Sequence, residues 1–310
     1  MRATVVGAGV SGLTCAHALA RAGWEVEIVA RETWQSCVSA VAAAIWSTTS
    51  VAEGDERARR WMLTSRDRFA EIAHDPTSGV VRLVQRELEQ TDPGPSAWAD
   101  LPFVRQLARD ELPSGYASGI EIDGFMVEPP RYLPWLTARL GELGVGITVA
   151  PLRQLTEVSG DLVVNCSGLG AAELADDDSV FPIRGQVVAV PNPGIRDSIS
   201  DESDQRRITY VYPRAREVIL GGCRDIGSAN TAPDPSLTER ILADAGRLEP
   251  RVAGLEVLDV RVGLRPGRPT VRVDHGTLPD GRPVIHDYGH GGLGYILSWG
   301  CAADVVALAG

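Results

Sequence analysis

The sequence ATVVGAGVSG (residues 3–12) runs from a short apolar segment directly into the pattern G-x-G-x-x-G. A helix-like stretch at residues 13–21 and a second apolar segment at residues 26–29 follow it. The order of strand, tight turn, helix and strand predicts one βαβ unit. The turn consists of Gly7, Ala8, Gly9, Val10, Ser11 and Gly12.

This turn is typical of dinucleotide-binding sites. Its glycines allow a tight turn and a close approach of backbone to a pyrophosphate, and the helix N-terminus offers unpaired N–H groups with a partial positive charge. The acidic residue that commonly holds the ribose is missing, because Ala30 stands at the expected position. Two substitutes remain open: Glu32 grips the ribose, or Arg31 binds a phosphate instead.

Charge and hydropathy exclude several classes of protein. The 41 acidic residues outnumber the 30 basic ones, and the net charge of -11 without a segregated basic patch speaks against nucleic-acid or anionic-membrane binding. No apolar run reaches the roughly 18 residues of a membrane span, so we expect a cytoplasmic protein. The five cysteines lack paired C-x-x-C spacing and suggest neither a disulfide framework nor a metal site.

The rest of the chain alternates between segments that resemble the first strand and segments with other patterns. Apolar strands at residues 162–164 and 283–285 lead into glycines, in the style of the first strand. Helical patterns cover residues 55–72 and 133–143. Short strands bounded by Pro, Gly or Asp, as in an antiparallel sheet, are predicted at residues 186–190, 207–212, 217–220 and 258–262.

Six blocks, in order and with similar spacing, resemble the D-amino-acid oxidases. They are VAAAIW (residues 41–46), VNCSG (164–168), RGQ (184–186), YVYP with LGG (210–213 and 220–222), VGLRP (262–266) and HDYGHGG (286–292). The resemblance spans nearly the whole chain, although residues 52–125 contribute little to it. Six co-linear blocks are far more specific than one glycine motif.

The resemblance implies an α/β fold with two interleaved domains. A Rossmann-like FAD-binding domain would comprise residues 1–50, 145–185 and 263–310. A substrate-binding domain with an antiparallel or mixed β-sheet would comprise residues 51–144 and 186–262.

The same resemblance implies FAD as the cofactor. Besides the glycine turn and Arg31, the residues that it places around FAD are Ala42, Ala43, Ala44, Ile45, Leu152, Cys166, Ser167, Gly168, Arg265, Gly291, Gly292, Leu293, Gly294, Tyr295 and Ile296. Residues 42–45 would lie along the flavin ring. A helix beginning just after residues 291–296 would direct its N-terminal dipole at the flavin N1 and O2 atoms.

For the substrate, the resemblance assigns the catalytic residues Arg265, Tyr210 and Gly292. Arg265 would hold the carboxylate in a two-pronged salt bridge with help from the Tyr210 hydroxyl, and the Gly292 carbonyl would accept a hydrogen bond from the amine. A buried ion pair for Arg265 and core packing for Tyr210 are the structural alternatives. Arg224 matches a position where D-aspartate oxidases place an arginine for a second carboxylate.

Some residues depart from the family pattern or carry no function in it. Arg206 replaces a second tyrosine on the active-site lid of many animal members, so the lid is expected to be absent. Ile296 replaces a threonine that reaches the flavin, which leaves that role to backbone groups. His286 and His290 lack an H-E-x-x-H helix motif, and we interpret them as structural residues rather than metal ligands.

The implied reaction needs no enzymatic base. Hydride transfer to the flavin converts a D-amino acid and oxygen into a 2-oxo acid, ammonia and hydrogen peroxide. Three alternatives stay open: a D-aspartate-oxidase-like specificity for acidic D-amino acids, a flavin oxidase of glycine or secondary amines, and a non-catalytic flavin- or NAD-binding protein. A homodimer is compatible with the sequence, which carries no signal for the oligomeric state.

Overall fold

The structure is a computed structural model, and it describes residues 1–48, 54–92, 94, 96–201, 203–204 and 207–310. Within these residues two β-sheets account for the strands. We call them the parallel sheet and the large sheet.

The parallel sheet begins with the predicted βαβ unit, which is confirmed. In the described chain its strands are β1 (Arg2–Val6), β2 (Glu25–Ala30), β7 (Gly146–Val149), β8 (Leu162–Asn165), β15 (Arg272–Thr277) and β16 (Pro283–Tyr288). They lie in the order β15-β16-β8-β1-β2-β7, and only β15 runs antiparallel to its neighbour. The carboxyl ends of β1, β2 and β8 therefore meet at one edge, where ligands bind in sheets of this type.

The large sheet is mixed. Its strands in the described residues are β3 (Ile45–Trp46), β4 (Val80–Glu89), β5 (Val104–Gln106), β6 (Ser118–Val127), β9 (Phe181–Pro191), β10 (Ser198–Asp201), β11 (Thr209–Pro213), β12 (Glu217–Gly221), β13 (Asp225–Ile226) and β14 (Asp259–Gly267). The main order is β13-β9-β12-β11-β10-β4-β6-β3, while β14 pairs with β9 and β5 with β6. Only β10 and β4 pair in parallel.

Helices cover both sheets. Those described are α1 (Val10–Arg21), α2 (Val38–Val41), α3 (Glu56–Ile72), α4 (Pro129–Glu142), α5 (Ala171–Leu174), α6 (Pro235–Leu248) and α7 (Gly294–Ala309). The helix predicted at residues 133–143 begins earlier than expected, because Pro129 occupies the first helical turn, where a missing N–H is harmless. None of the described helices is both long and apolar enough to cross a bilayer.

The large sheet has two different faces, which follow from the alternation of side chains along a strand. Val188 and Val190 of β9 pack with Ile241 of α6 on one face. Val187 and Ala189 point to the other face, where a second apolar cluster includes Tyr210 and Tyr212 and contacts Ala43 and Ile45. This second face therefore meets the segment that the sequence assigned to the flavin ring.

The proposed domain ranges stay a proposal. Every strand of the parallel sheet falls within the ranges proposed for the FAD-binding domain. Several elements do not follow the division. Strands β9 and β14 each run across a proposed boundary, β3 (Ile45–Trp46) belongs to the large sheet, and α4, assigned to the substrate-binding domain, packs in the same core as α1.

Candidate active site

The glycine turn has no room for side chains at two positions. Gly7 has a φ of +116°, and a Cβ there would lie 2.5 Å from the carbonyl oxygen of Cys166. A Cβ on Gly12 would overlap the carbonyl oxygen of Gly7. The turn is fixed from behind, since the Gly7 N–H donates to the Val29 carbonyl at 2.9 Å.

The N-terminus of α1 opens beside this turn. Gly9 is the N-cap residue and provides no side-chain cap. The Val10 N–H donates to Ser39 Oγ at 3.0 Å. In the described part of the chain, the N–H groups of Ser11 and Gly12 have no acceptor. Unpaired N–H groups at a helix N-terminus, next to a turn whose glycines let the backbone approach a ligand closely, fit a pyrophosphate.

The end of β2 carries an exposed arginine. Arg31 follows Ala30, and its side chain is 77% exposed. Its nearest acidic neighbour is Glu32, 3.5 Å away. Leu152 lies two residues beyond Ala150, whose N–H donates to the Ala30 carbonyl at 2.8 Å. Arg31, Glu32 and Leu152 are thus at the carboxyl edge of the parallel sheet.

The segment predicted to lie along the flavin ring is anchored to the large sheet. Ala44 has a φ of +59°, unusual for a residue with a side chain, and its carbonyl accepts from the Val127 N–H at 2.9 Å. Arg214, whose side chain is 3% exposed, donates to the carbonyls of Ala42 at 2.7 Å and Ala43 at 3.1 Å. Glu217 pairs with the same guanidinium at 2.8 Å.

Residues 166–168 lie between the glycine turn and β14, the strand that carries Arg265. The Cys166 N–H donates to the Val6 carbonyl at 2.9 Å, which extends the pairing of β8 with β1. Ser167 donates to Asn165 Oδ1 at 2.6 Å. Gly168 adopts a φ of +60°, and a Cβ there would lie 3.8 Å from Pro266. Pro266 is the neighbour of Arg265. The residues predicted to lie near the adenosine are therefore adjacent to those predicted to bind the substrate.

The last glycine cluster contacts both sets of residues. The Gly291 N–H donates to the Pro266 carbonyl at 2.7 Å, and a Cβ on Gly292 would lie 3.7 Å from Arg265 Cδ. A Cβ on Gly294 would lie 3.5 Å from Val10. Gly292 is exposed, and no described residue donates a hydrogen bond to its carbonyl. The last glycine cluster therefore contacts both β14 and the N-terminus of α1.

The final helix begins earlier than the sequence predicted. It was expected just after residue 296, but α7 starts at Gly294 with Leu293 as its N-cap. Tyr295 and Ile296 are consequently in its first turn with buried side chains, and the Tyr295 hydroxyl donates to the Ser39 carbonyl at 2.8 Å. Their backbone N–H groups, rather than their side chains, face outward from the helix end.

Arg265 is a half-buried cation held only by carbonyls. Its Nη1 donates to the carbonyl of Cys223 at 3.1 Å and to that of Arg184 at 3.4 Å. Among the described residues no carboxylate pairs with it, in contrast to Arg261 on the same strand, which pairs with Glu217 at 2.8 Å. A partly desolvated guanidinium without an anion favours the binding of one.

Tyr210 lies against Gly221 and Gly222, the two residues before Cys223. Its ring packs on Gly221, its hydroxyl would be 3.1 Å from a Cβ on Gly222, and it stacks on Tyr212 with ring centroids 4.3 Å apart. Gly222 precedes Cys223, the residue whose carbonyl accepts from Arg265. Tyr210 and Arg265 thus both contact one short segment, residues 221–223.

Four further residues were singled out in the sequence: Arg206, Arg224, His286 and His290. Arg224 is exposed and follows Cys223, with no ion pair to any residue that the structure describes. Arg206, the position of the missing lid tyrosine, lies outside the described residues. His286 and His290 are both buried. Burial lowers the pKa of His286 to about 4, which keeps it neutral at pH 7.

Three residues of this site were not predicted as site residues from the sequence. Ser39 contacts the N-terminus of α1, Arg214 holds residues 42 and 43, and Gly185 lies under the Arg265 guanidinium. Gly185 belongs to the quoted block RGQ, which was the only sequence signal for any of them.

The comparisons with known proteins agree over the whole chain. The family described as FAD dependent oxidoreductase matches residues 2–308. A D-amino-acid oxidase of Rubrobacter xylanophilus is 43% identical over 100% of this chain and 96% of that protein. The D-aspartate oxidase of Homo sapiens is 34% identical over 99% of this chain and 94% of that protein. The glycine oxidase from Geobacillus kaustophilus superposes with a TM-score of 0.84 at 20% identity, covering 99% and 94% of the two chains.

Proposed function

The chain belongs to the family of FAD-dependent oxidoreductases, and we propose that it oxidises D-amino acids to 2-oxo acids, with release of ammonia and hydrogen peroxide. One observation carries the proposal: in the described structure Arg265, whose guanidinium has no carboxylate partner, packs the stem of its side chain beside Gly292, whose carbonyl has no donor. The curated relatives named D-amino-acid oxidase and D-aspartate oxidase support the substrate class.

The proposed role of Arg265 is to bind the substrate carboxylate. Its planar fork matches a carboxylate in two-pronged fashion, and the carbonyls of Cys223 and Arg184 already orient it from one side. Tyr210 lies across Gly222 and would contact the same carboxylate.

Gly292 would select the amine. A backbone carbonyl can only accept a hydrogen bond, so it would orient the substrate amine through an N–H while the lone pair of the neutral amine stays available. Carboxylate on Arg265, amine on Gly292 and α-hydrogen toward the flavin fix three substituents of the α-carbon. The fourth, the side chain, then has one direction, and only one enantiomer satisfies all contacts.

The cofactor supplies the redox chemistry. When bound, FAD accepts a hydride from the substrate and passes the electrons to oxygen. The chain would contribute the cradle at Gly7 and Gly12, the free N–H groups of α1, and the first turn of α7, whose positive end favours negative charge on the nearby flavin edge.

The test begins with the purified protein. Flavin absorption bands, together with peroxide formation from D-alanine but not L-alanine, are the expected result. Turnover of glycine or secondary amines with no preference for D-amino acids would instead indicate a flavin oxidase that acts on glycine or secondary amines. A colourless protein that gives no peroxide after reconstitution with FAD would refute the proposal. A cytoplasmic location and a homodimer are further proposals, checked by fractionation and by light scattering.

Acidic D-amino acids are a second candidate substrate class. Arg224 is one residue from the Cys223 carbonyl that orients Arg265, and it is exposed without an ion pair within the described ranges. We expect Arg224→Ala to lower kcat/KM for D-aspartate at least tenfold while D-alanine changes less than about twofold, as for the loss of one charge-assisted contact. Equal effects on both substrates, or no D-aspartate activity in the unchanged protein, would eliminate this candidate.

A methyl group on Gly185 is expected to displace the Arg265 guanidinium. A Cβ there would lie 2.5 Å from Cζ, and the far end of a flexible side chain moves more readily than the strand. Gly185→Ala should lower kcat/KM for D-alanine by about tenfold to 100-fold, with FAD affinity retained. The matched control is Gly146→Ala on β7, where a Cβ meets nothing within 4 Å. Kinetics equal to the control would show that Arg265 can be displaced without loss.

A further inference from the structure

A buried arginine in the turn between β11 and β12 reaches the segment that the resemblance assigns to the flavin ring. The side chain of Arg214 is 3% exposed. Its Nη2 donates to the carbonyl of Ala42 at 2.7 Å and to that of Ala43 at 3.1 Å. One nitrogen atom of the guanidinium therefore holds two consecutive peptide groups of this segment.

The two ends of the segment are held by other elements. At one end the Ser39 carbonyl accepts from the Tyr295 hydroxyl at 2.8 Å. At the other end the Ala44 carbonyl accepts from the Val127 N–H at 2.9 Å. Residues 42 and 43 lie between these contacts and carry only methyl groups, so side-chain packing gives their peptide groups little orientation. Their orientation therefore depends mainly on the guanidinium.

The direction of the two carbonyls also fixes the direction of two N–H groups. In a trans peptide the C=O and the N–H of one peptide group point in opposite directions. Because the carbonyls of Ala42 and Ala43 point at Arg214, the N–H groups of Ala43 and Ala44 point away from it. Neither N–H belongs to a helix or strand, and in the part of the chain that the structure describes neither has an acceptor. Successive N–H groups that face one way favour an electron-rich group.

The guanidinium is costly to bury at this position. Glu217 pairs with Arg214 at 2.8 Å, but it is shared with Arg261, also at 2.8 Å. The buried Nε of Arg214 has no hydrogen-bond partner among the described residues. Replacing a buried charge by an apolar side chain of similar volume is often neutral for stability. Stability alone is therefore a weak reason for a guanidinium here.

We propose that Arg214 is a positioning residue for the flavin. It holds the carbonyls of Ala42 and Ala43 on one side, so that the N–H groups of Ala43 and Ala44 face the isoalloxazine ring on the other. The partial positive charge of these N–H groups, with the guanidinium behind them, would stabilise the reduced, more electron-rich ring. The inference rests on the proposed function, since the resemblance alone places residues 42–45 along the flavin.

The reduction potential of the bound flavin tests this role without substrate turnover. Arg214→Met removes the fork and its charge, while Glu217 keeps Arg261 as a partner. We expect its two-electron potential to be lower by at least about 30 mV, which corresponds to a tenfold shift toward the oxidised flavin. Flavin reduction by D-alanine should slow at least about tenfold with KM changed less than about threefold, because Arg265 rather than Arg214 contacts the substrate in the proposed site.

The matched control is Arg216→Met in the same turn, where the side chain is exposed. Its flavin potential and its rate of flavin reduction should equal those of the unaltered protein. Arg214→Lys keeps the charge, but one ammonium replaces a fork that contacts Glu217 and two carbonyls at once. We expect its potential to lie between those of the methionine variant and the unaltered protein. The lysine variant also provides the test if the methionine variant does not fold.

Three results separate this inference from the proposed function. Potentials within about 5 mV of the Arg216 control in every Arg214 variant that folds, a shift of about 1.5-fold, would overturn the inference. The potentials are measured with a chemical reductant. An unaltered protein that binds flavin but does not oxidise D-amino acids would therefore refute the proposed function alone. A protein that binds no flavin would overturn both.

Discussion

Replacing Arg265 with alanine is expected to lower kcat/KM for D-alanine by about 30-fold to about 4,000-fold while FAD remains bound. Loss of one partner of a desolvated, hydrogen-bonded charge pair costs about 2 to 5 kcal/mol, and each 1.4 kcal/mol corresponds to about tenfold. The guanidinium has no carboxylate partner in the described chain, so its removal leaves no buried acid unpaired. Stopped-flow reduction of the bound flavin by D-alanine measures the effect directly.

The matched control is Arg251→Ala. Arg251 pairs only with Glu249 at 2.7 Å among the described residues, and its side chain is 56% exposed. Its removal should leave flavin reduction unchanged within about twofold, because exposed ion pairs contribute little. Equal rates for the Arg265 and Arg251 variants would mean that the substrate carboxylate is bound elsewhere.

Adding one methyl group to Gly12 is expected to abolish FAD binding. A Cβ at this position overlaps the Gly7 carbonyl oxygen, and Gly7 cannot retreat because its own Cβ position faces Cys166. Either α1 or the turn must shift, which separates the free N–H groups from the pyrophosphate. We expect the FAD dissociation constant of Gly12→Ala to rise at least 100-fold, measured by fluorescence titration of the apoprotein.

Two further glycine variants separate binding from folding. A Cβ on Gly9 would meet only Ser39 Oγ at 3.2 Å, so Gly9→Ala should fold normally. We nevertheless expect it to bind FAD more weakly than the unaltered protein. Gly141 lies in α4 with nothing within 4 Å of a Cβ, and Gly141→Ala should leave FAD affinity unchanged and stabilise the helix by about 0.5 to 1 kcal/mol. Wild-type affinity in both Gly9→Ala and Gly12→Ala would remove the turn from the cofactor site.

The sequence predicted those features whose cause is local. The βαβ unit follows from an apolar run, a glycine turn and a helix in immediate succession, and β1, α1 and β2 lie where these patterns stand. The start of α4 was placed too late because the prediction followed the amphipathic spacing from Leu133, whereas the helix begins at Pro129, and proline is compatible with a first helical turn. The start of α7 was placed too late because glycine is a weak helix signal.

Long-range features had no such signal. Arg214 holds Ala42 and Ala43 across more than 170 positions of sequence, and nothing in the neighbouring residues marks it. The meeting of Cys15, Cys166 and Asp287 depends on how β8 and β16 pair and how α1 crosses them. Spacing rules detect groups of residues that share one segment, and these three do not.

The most direct measurement is a crystal structure of the FAD-loaded protein with a non-reacting carboxylate analogue such as D-lactate. We predict both carboxylate oxygens about 2.7 to 2.9 Å from the Arg265 guanidinium, and the α-substituent directed at the Gly292 carbonyl over the flavin. A carboxylate bound away from Arg265, or Arg265 and Gly292 on opposite faces of the ring, would contradict the proposed active site.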